Sequence, residues 1–361
     1  MHSKLLYTAI LRPILFSLDA EAAHNTALGM AHLLSKVIPC SKLQPPRRGE
    51  RSLFGLHLPN PVGLAAGLDK NAAAVPFFAS LGFGHVEVGT VTPLPQLGNP
   101  KPRMFRLPRD GALINRMGFP SIGADQVAMN LARARERLPD YVIGVNIGKN
   151  KETPIQNAKQ DYCVALRKLA PFASYITINV SSPNTPELRS LQHGELLAGL
   201  LTALQEANAL NRPLCLKIAP DIQDTDLSEI VEVAIAHKIA ALIATNTTLQ
   251  RPQLSDEGSE TGGLSGAPLF PIASRVIREV LRLSAGRVPV IGVGGIGTAA
   301  QLNELLKAGV SLVQLYTALV FEGPSLVDTL LRGLEMPLGN RSAPAEAGDS
   351  HQARRTHAAS S

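Results

Sequence analysis

Val142-Ile-Gly-Val-Asn146 is a short apolar run ending on an amide, and the pattern on either side of it decides the fold. It is followed by Ile155–Leu169, whose apolar residues recur at helical spacing. Next come a second short run, Tyr175-Ile-Thr-Ile-Asn179, a second amphipathic stretch, Glu195–Asn208, and a third run, Leu214–Ile218. Short β-branched runs between stretches of 3.6-residue period read as buried strands alternating with helices. Working outward, the unit recurs. Upstream stand the runs Val62–Ala66 and His85–Gly89 and the helical stretch Ala124–Leu138. Downstream stand Ala241–Thr245, Val290–Val293 and Leu312–Tyr316, with Asp226–His237, Ile272–Leu283 and Ala299–Ala308 as helices. Eight strand–helix units in succession predict an α/β fold, a closed (β/α)8 TIM barrel; a doubly wound open sheet would not need eight similar units.

The 361 residues are 45% hydrophobic and 18% charged, which excludes a chain disordered throughout and implies a large core. No apolar stretch reaches the ~18 residues of a membrane span, and Arg12 and Pro13 split the early apolar run that a signal peptide would need. The net charge of +6 suits an anionic ligand, an anionic membrane surface or RNA without choosing among them. Three widely spaced cysteines, Cys40, Cys163 and Cys215, read as core thiols rather than a disulfide framework. The division expected is a helical segment over 1–50, the barrel over 51–336 and a disordered tail over 337–361. In the first segment, Leu5, Leu6, Ala9 and Ile10 form a helix that Pro13 should end. A second helix starts at Asp19 as N-cap and carries Ala23, Ala27, Met30, Leu33, Leu34 and Val37 before Pro39. Its apolar face has two readings, packing on the barrel or facing lipid.

Residues able to do chemistry cluster where the strands end: Ala66–Lys70, Gly89-Thr90, Asn146–Asn150, Asn179–Asn184, Lys217, Thr245–Thr248, Gly292–Gly297 and Tyr316-Thr317. In a barrel all of these converge on the C-terminal mouth. Gly292-Val-Gly-Gly-Ile-Gly297 follows a strand at the seventh unit, the customary place for a phosphate, so a phosphorylated cofactor is expected there. Five asparagines (115, 146, 179, 184 and 246) with Lys70, Lys217, Thr247 and Ser182 match a planar ring carrying alternating C=O and N–H groups and a negative charge. Nine histidines without HxH or HExxH spacing call for no metal, and no strand-end serine sits in a G-x-S-x-G elbow. The long connections Val91–Pro120 and Thr247–Pro271 stand out, the first as a cover for the mouth.

These residues resemble the class 2, quinone-dependent dihydroorotate dehydrogenases. The resemblance is carried in order by Leu64–Lys70, Glu87–Pro93, Asn115–Phe119, Asn146–Asn150, Asn179–Pro186, Lys217–Pro220, Ala244–Thr248, Thr261–Gly266 and Ile291–Ile296, and runs from about residue 5 to 335. One departure is Glu187, where the family usually has Gly. The resemblance implies a barrel binding one FMN, oxidising (S)-dihydroorotate to orotate in pyrimidine (UMP) biosynthesis and passing electrons to a membrane quinone. Ser182 matches the family's base and Lys217 the lysine beside the flavin. Ala66, Gly67, Leu68, Asp69, Lys70, Thr90, Asn146, Asn179, Lys217, Thr245, Gly266, Gly295, Tyr316 and Thr317 match the FMN site. Lys70, Asn115, Arg116, Met117, Gly118, Phe119, Asn179, Asn184, Asn246 and Thr247 match the substrate contacts. His24, Arg106 and Tyr316 match positions lining a quinone tunnel; Lys4 and Arg12, by their charge, are expected to contact anionic headgroups. The place implied is the cytoplasmic face of a bacterial cell membrane, peripherally held, with no nucleic-acid partner and a monomer among the compatible states. Because the matching substrate residues all lie beyond Leu64, dihydroorotate oxidation is expected not to depend on the first fifty residues. Two rivals are weighed. An RNA-modifying FMN barrel similar to dihydrouridine synthases would need a cysteine in a mouth loop. A non-catalytic membrane-associated barrel would not need Lys70, Ser182 and Lys217.

Overall fold

Eight short parallel strands close on one another in chain order: β1 (Val62–Leu64), β2 (His85–Val91), β3 (Ile143–Ile147), β4 (Tyr175–Asn179), β5 (Leu214–Ile218), β6 (Ala241–Ala244), β7 (Val290–Val293) and β8 (Leu312–Leu315). The ring is completed where Val313 of β8 pairs with Val62 of β1 and Leu315 with Leu64. This is a computed structural model, and it describes residues 2–335 except 253 and 256–258; the tail expected over 337–361 lies outside the described residues. The barrel strands are buried on both faces, which is why they read as continuous apolar runs rather than alternating ones. Tyr175–Asn179, Leu214–Ile218 and Val290–Val293 have the expected bounds, and the other strands differ by one or two residues, as where β3 starts at Ile143 and β2 runs on to Val91.

The outer helices fall where the helical period places them: Ala124–Arg137, Ala158–Leu169, Gly194–Ala207, Asp224–Ala236, Phe270–Ser284 and Ala299–Lys307. Each buries one face, as Phe270–Ser284 buries Ala273, Val276, Ile277 and Val280 against the barrel wall. The base of the barrel is sealed by an antiparallel hairpin, Arg51–Leu53 with Leu56–Leu58, whose Leu53 and Leu58 pack with Tyr175, Cys215, Ile243 and Ile291. Two rings fill the space above it only because glycines face them. A Cβ at Gly63 would lie 2.1 Å from the His85 ring, and one at Gly144 would lie 2.1 Å from Tyr175.

The two long connections contain more than the sequence shows. Met104–Leu107 and Ala112–Asn115 come from the first and Gly263–Gly266 from the second, and they form one three-stranded antiparallel sheet. Asn115 is the last residue of the central strand and lines the mouth, opposite both Met104 and Gly263. Four-residue strands with a partner about 150 positions away leave too short a period to detect.

In the N-terminal segment, Pro13 does not end the first helix. The chain runs from helix His2–Leu6 through a π-helical turn, Tyr7–Leu11, into helix Arg12–Ser17. There the Arg12 N–H bonds five residues back to Tyr7 O, and this wider turn accommodates a ring that has no N–H of its own. Asp19 caps helix Ala20–Val37 as expected, accepting from the Glu21 and Ala22 N–H groups. That helix buries only Glu21, Ala23, Ala31 and Ser35. Leu5, Leu6, Ile10, Ile14, Met30, Leu33, Leu34 and Val37 are exposed, so packing on the barrel does not account for the apolar face. Cys40 is exposed, against expectation, because it follows the end of that helix in a surface turn; Cys163 and Cys215 are buried. Lys4 pairs with Glu322 at 2.7 Å and Arg12 donates to Phe321 O at 3.0 Å, so both tie the segment to the barrel instead of standing free toward headgroups. Among the described residues no helix is long and apolar enough to cross a membrane.

Candidate active site

The strand ends surround a cavity of about 350 Å3 at the C-terminal mouth, within the size range of small-molecule sites. Its lining includes Ala66, Gly67, Lys70, Thr90, Asn179, Lys217, Thr245, Gly266, Gly295, Tyr316 and Thr317, together with Asn115, Met117, Gly118, Phe119, Ser182, Asn184, Asn246 and Thr247. Nineteen of the residues singled out from sequence thus meet in one place. Leu68, Asp69, Asn146, Arg116, His24 and Arg106 do not line it. Asp69 is buried and accepts from the Ala73 and Ala74 N–H groups, fixing the loop that carries Lys70. Arg116 points away, donating to Glu260 and lying over the Phe105 ring.

Beneath the cavity lies a buried polar network that sequence reasoning missed. Its centre is Glu87, inward-facing on β2 and fully buried. Its carboxylate accepts from Asn146 Nδ2 (2.9 Å), Tyr175 OH (3.0 Å), Thr177 Oγ1 (3.1 Å) and Gln314 Nε2 (2.8 Å). The one carboxylate in a fully buried strand was the available signal. Burial pushes the Lys217 ammonium down, and the Glu87 charge opposes that shift. Asn146 then accepts from Thr90 (2.6 Å) and Asn179 (3.1 Å), so its role is to orient two cavity-lining residues. Gln314 Oε1, also buried beside the cavity, has no hydrogen-bond partner.

The amides of the upper wall hold one another. Asn184 Nδ2 donates to Asn115 O (3.0 Å) and Oδ1 (3.2 Å), and Asn246 Nδ2 donates to Ser181 Oγ (2.9 Å). Ser182 Oγ accepts from the Asn184 N–H at 3.2 Å, and Ser182 lines the cavity. Arg189 fastens the three loops behind this wall by donating to Ser181 O, Asp221 and Thr247 O. Lys70 is pushed down to about 8, chiefly by burial, with the Glu21 carboxylate partly opposing and the Arg103 charge reinforcing the shift.

On the side facing the N-terminal segment, Met104, Phe321 and Tyr316 form an apolar rim, and Phe16 packs edge-on against Phe321 at 5.5 Å. Arg106 donates to Leu15 O, Phe16 O and Leu18 O, capping the end of helix Arg12–Ser17. His24 is held neutral, its pKa pushed down to about 3 by burial and then by the Lys70 charge. Burial raises the Tyr316 phenol.

Residues 49–338 match the family model described as dihydroorotate dehydrogenase. The chain belongs to the dihydroorotate dehydrogenase family. It is 48% identical over 351 residues to the dihydroorotate dehydrogenase (quinone) of Chloroflexus aurantiacus, covering 91% of this chain and 96% of that one. It is 46% identical over 337 residues to that of Janthinobacterium sp., with 91% and 97% covered. Among solved structures it is similar to DHODH from Eimeria tenella in complex with ferulenol, with a TM-score of 0.81 and 39% identity over 87% of this chain and 90% of that one. As a dihydroorotate dehydrogenase family member the chain is an oxidoreductase, and the mouth of its barrel is where its polar residues converge. The cysteine that an RNA-modifying barrel would need is not in this lining: Cys163 lies on helix Ala158–Leu169 and Cys215 within β5.

Proposed function

We propose that this chain oxidises dihydroorotate to orotate with FMN in the barrel mouth and a membrane quinone as final acceptor. The observation that carries this is the single cavity uniting Lys70, Ser182, Lys217 and four amide side chains, Asn115, Asn179, Asn184 and Asn246. The residues suit the flavin. Gly266 and Gly295 line the cavity with φ of +99° and +70°, and a Cβ on either would strike backbone at 2.3–2.4 Å, so both loops present bare main chain where a phosphate would sit. The orphan Gln314 Oε1 offers an acceptor to a ring N–H. Bound FMN would supply the hydride acceptor.

The chain's own residues do the rest. Lys70 meets the substrate carboxylate, and the amides of Asn115, Asn184 and Asn246 match its alternating carbonyl and N–H edge. Ser182 Oγ takes the C5 proton as the hydride leaves C6. A hydroxyl is a weak base, and the Asn184 N–H donating to Oγ favours charge on that oxygen. Lys217, lining the cavity with the Glu87 charge acting on it, would hold a cation toward the FMN ring and stabilise negative charge there. Residues 1–50 form the acceptor-access segment, peripheral on a bacterial membrane by its exposed apolar face, with His24, Arg106 and Tyr316 on the acceptor's path. The test is to purify the full chain, identify the released chromophore, and assay dihydroorotate oxidation with a quinone against fumarate and NAD. FMN and quinone-dependent turnover are expected; a colourless protein, or turnover with fumarate or NAD alone, would overturn the reading.

A further inference from the structure

The wall that carries the substrate amides is also held from outside. Asn99 N–H donates to Met117 O (2.9 Å), and Asn99 Nδ2 donates to both Arg116 O and Asn184 O (3.0 Å each). The Arg116 N–H bonds to Arg103 O at 2.9 Å. The connection that makes these bonds is pinned at two points: Gln96 Nε2 donates to Gly118 O (3.2 Å) and Phe119 O (2.8 Å), and Arg103 ties it to the N-terminal helix. Arg103 Nη1 donates to Leu97 O (2.6 Å) and Asn99 O (2.7 Å), while Nε and Nη2 grip Glu21 at 3.1 and 2.8 Å. Both partners are buried, at 8% exposed for Arg103 and 6% for Glu21. Glu21 belongs to the first turn of helix Ala20–Val37, outside the barrel.

A buried guanidinium that loses its carboxylate keeps its charge and must find other acceptors or water. Here it would take with it the two carbonyls it holds, Leu97 and Asn99, and with Asn99 the positions of Asn184 and Met117. We propose that Glu21 and Arg103 are positioning residues of the substrate pocket, so that the N-terminal helix is part of the frame that sets Asn115 and Asn184. This rests on the reading that those amides bind substrate. It revises the expectation that dihydroorotate oxidation is independent of the first fifty residues, because deleting them removes Glu21 and strands Arg103. It also makes the two ends of the reaction reciprocal: whatever shifts the helix on the acceptor side shifts substrate affinity by the same factor that substrate shifts the helix.

The test uses Glu21→Gln and Asn99→Ala in the full flavin-loaded chain. Orotate Kd, KM and kcat for dihydroorotate, and amide hydrogen exchange at Asn99 and Arg116 are measured. Both variants should raise orotate Kd and dihydroorotate KM about tenfold, or about 1.4 kcal/mol, with kcat within about threefold of the parent. Exchange at Asn99 and Arg116 should quicken about tenfold while the barrel strands stay protected. Asn99→Ala should do this with helix Ala20–Val37 still resistant to protease, since the ion pair is intact. Parent-like orotate affinity and exchange in both variants, even with the helix released in Glu21→Gln, would mean that the pair only docks the helix. A parent chain that binds no orotate would refute the functional reading, and the exchange rates would then decide the positioning claim alone. If Glu21→Gln fails to fold, Asn99→Ala is judged by the same criteria.

Discussion

The barrel mouth and the N-terminal segment invert each other's burial. At the mouth, Glu87, Asn146, Asn179 and Lys217 are buried polar groups. Along the first forty residues, Leu5, Ile14, Leu33 and Val37 are exposed apolar ones, each more than half accessible. Buried polar groups are tolerated only when hydrogen-bonded, and the network around Glu87 meets that condition almost completely. An exposed apolar stripe is tolerated when something other than water covers it. The difference teaches that the mouth keeps its polar groups by pairing them around a cavity while the first segment leaves apolar side chains uncovered, with Glu21–Arg103 as a buried link between the two regions.

The comparison is broken most severely by Ser182→Ala. Flavin content and colour should survive, while flavin reduction by dihydroorotate slows by about 10²–10⁴-fold in stopped flow. A parent-like rate would remove Ser182 as the base. Next is Glu87→Ala, which leaves four donors without an acceptor and Lys217 without a counter-charge. Loss of about 3–5 kcal/mol in denaturant unfolding is expected, and a loss below 1 kcal/mol would show that the network is not a stabilising centre. The paired change Leu33→Ser with Val37→Ser should sharpen the contrast. Binding to anionic vesicles should weaken about tenfold or more, with stability altered by no more than about 0.5 kcal/mol. Unchanged vesicle binding would return the stripe to the status of an ordinary surface.

The mildest effect is on pH. Lys70 loses its proton near 8 in the free protein, so orotate Kd should rise with pH above about 8, approaching tenfold per unit. For folding the sign is opposite. A lysine that is harder to charge when folded costs stability while it is charged, and that cost is relieved as pH rises from about 8 toward the ordinary lysine value. A flat orotate titration between pH 7 and 9 would place the substrate carboxylate elsewhere.

Much of this was legible in the sequence, for physical reasons that differ by residue. Strand–helix alternation fixes a barrel because parallel strands need crossovers, and strand ends collect at one mouth whatever the loops do. Lys70, Ser182, Lys217 and the asparagines were found that way. The antiparallel sheet over the mouth was not, because Gly263–Gly266 gains its meaning only beside Ala112–Asn115. Glu87 and Arg103 were invisible as partners because nothing local in the chain specifies the four donors of one or the Glu21 of the other. The Glu187 departure has a readable outcome. It holds a left-handed backbone at φ +55°, the conformation glycine adopts without cost, and so carries local strain of about 1 kcal/mol.

The central claim is that dihydroorotate delivers its electrons to a flavin held in this barrel mouth. Its most direct test is anaerobic titration of the purified full-length protein with dihydroorotate, following the visible flavin absorbance and the orotate formed. The account predicts bleaching to completion with one orotate per flavin, and return of the colour on adding a quinone. A flavin that stays oxidised under saturating dihydroorotate would contradict it.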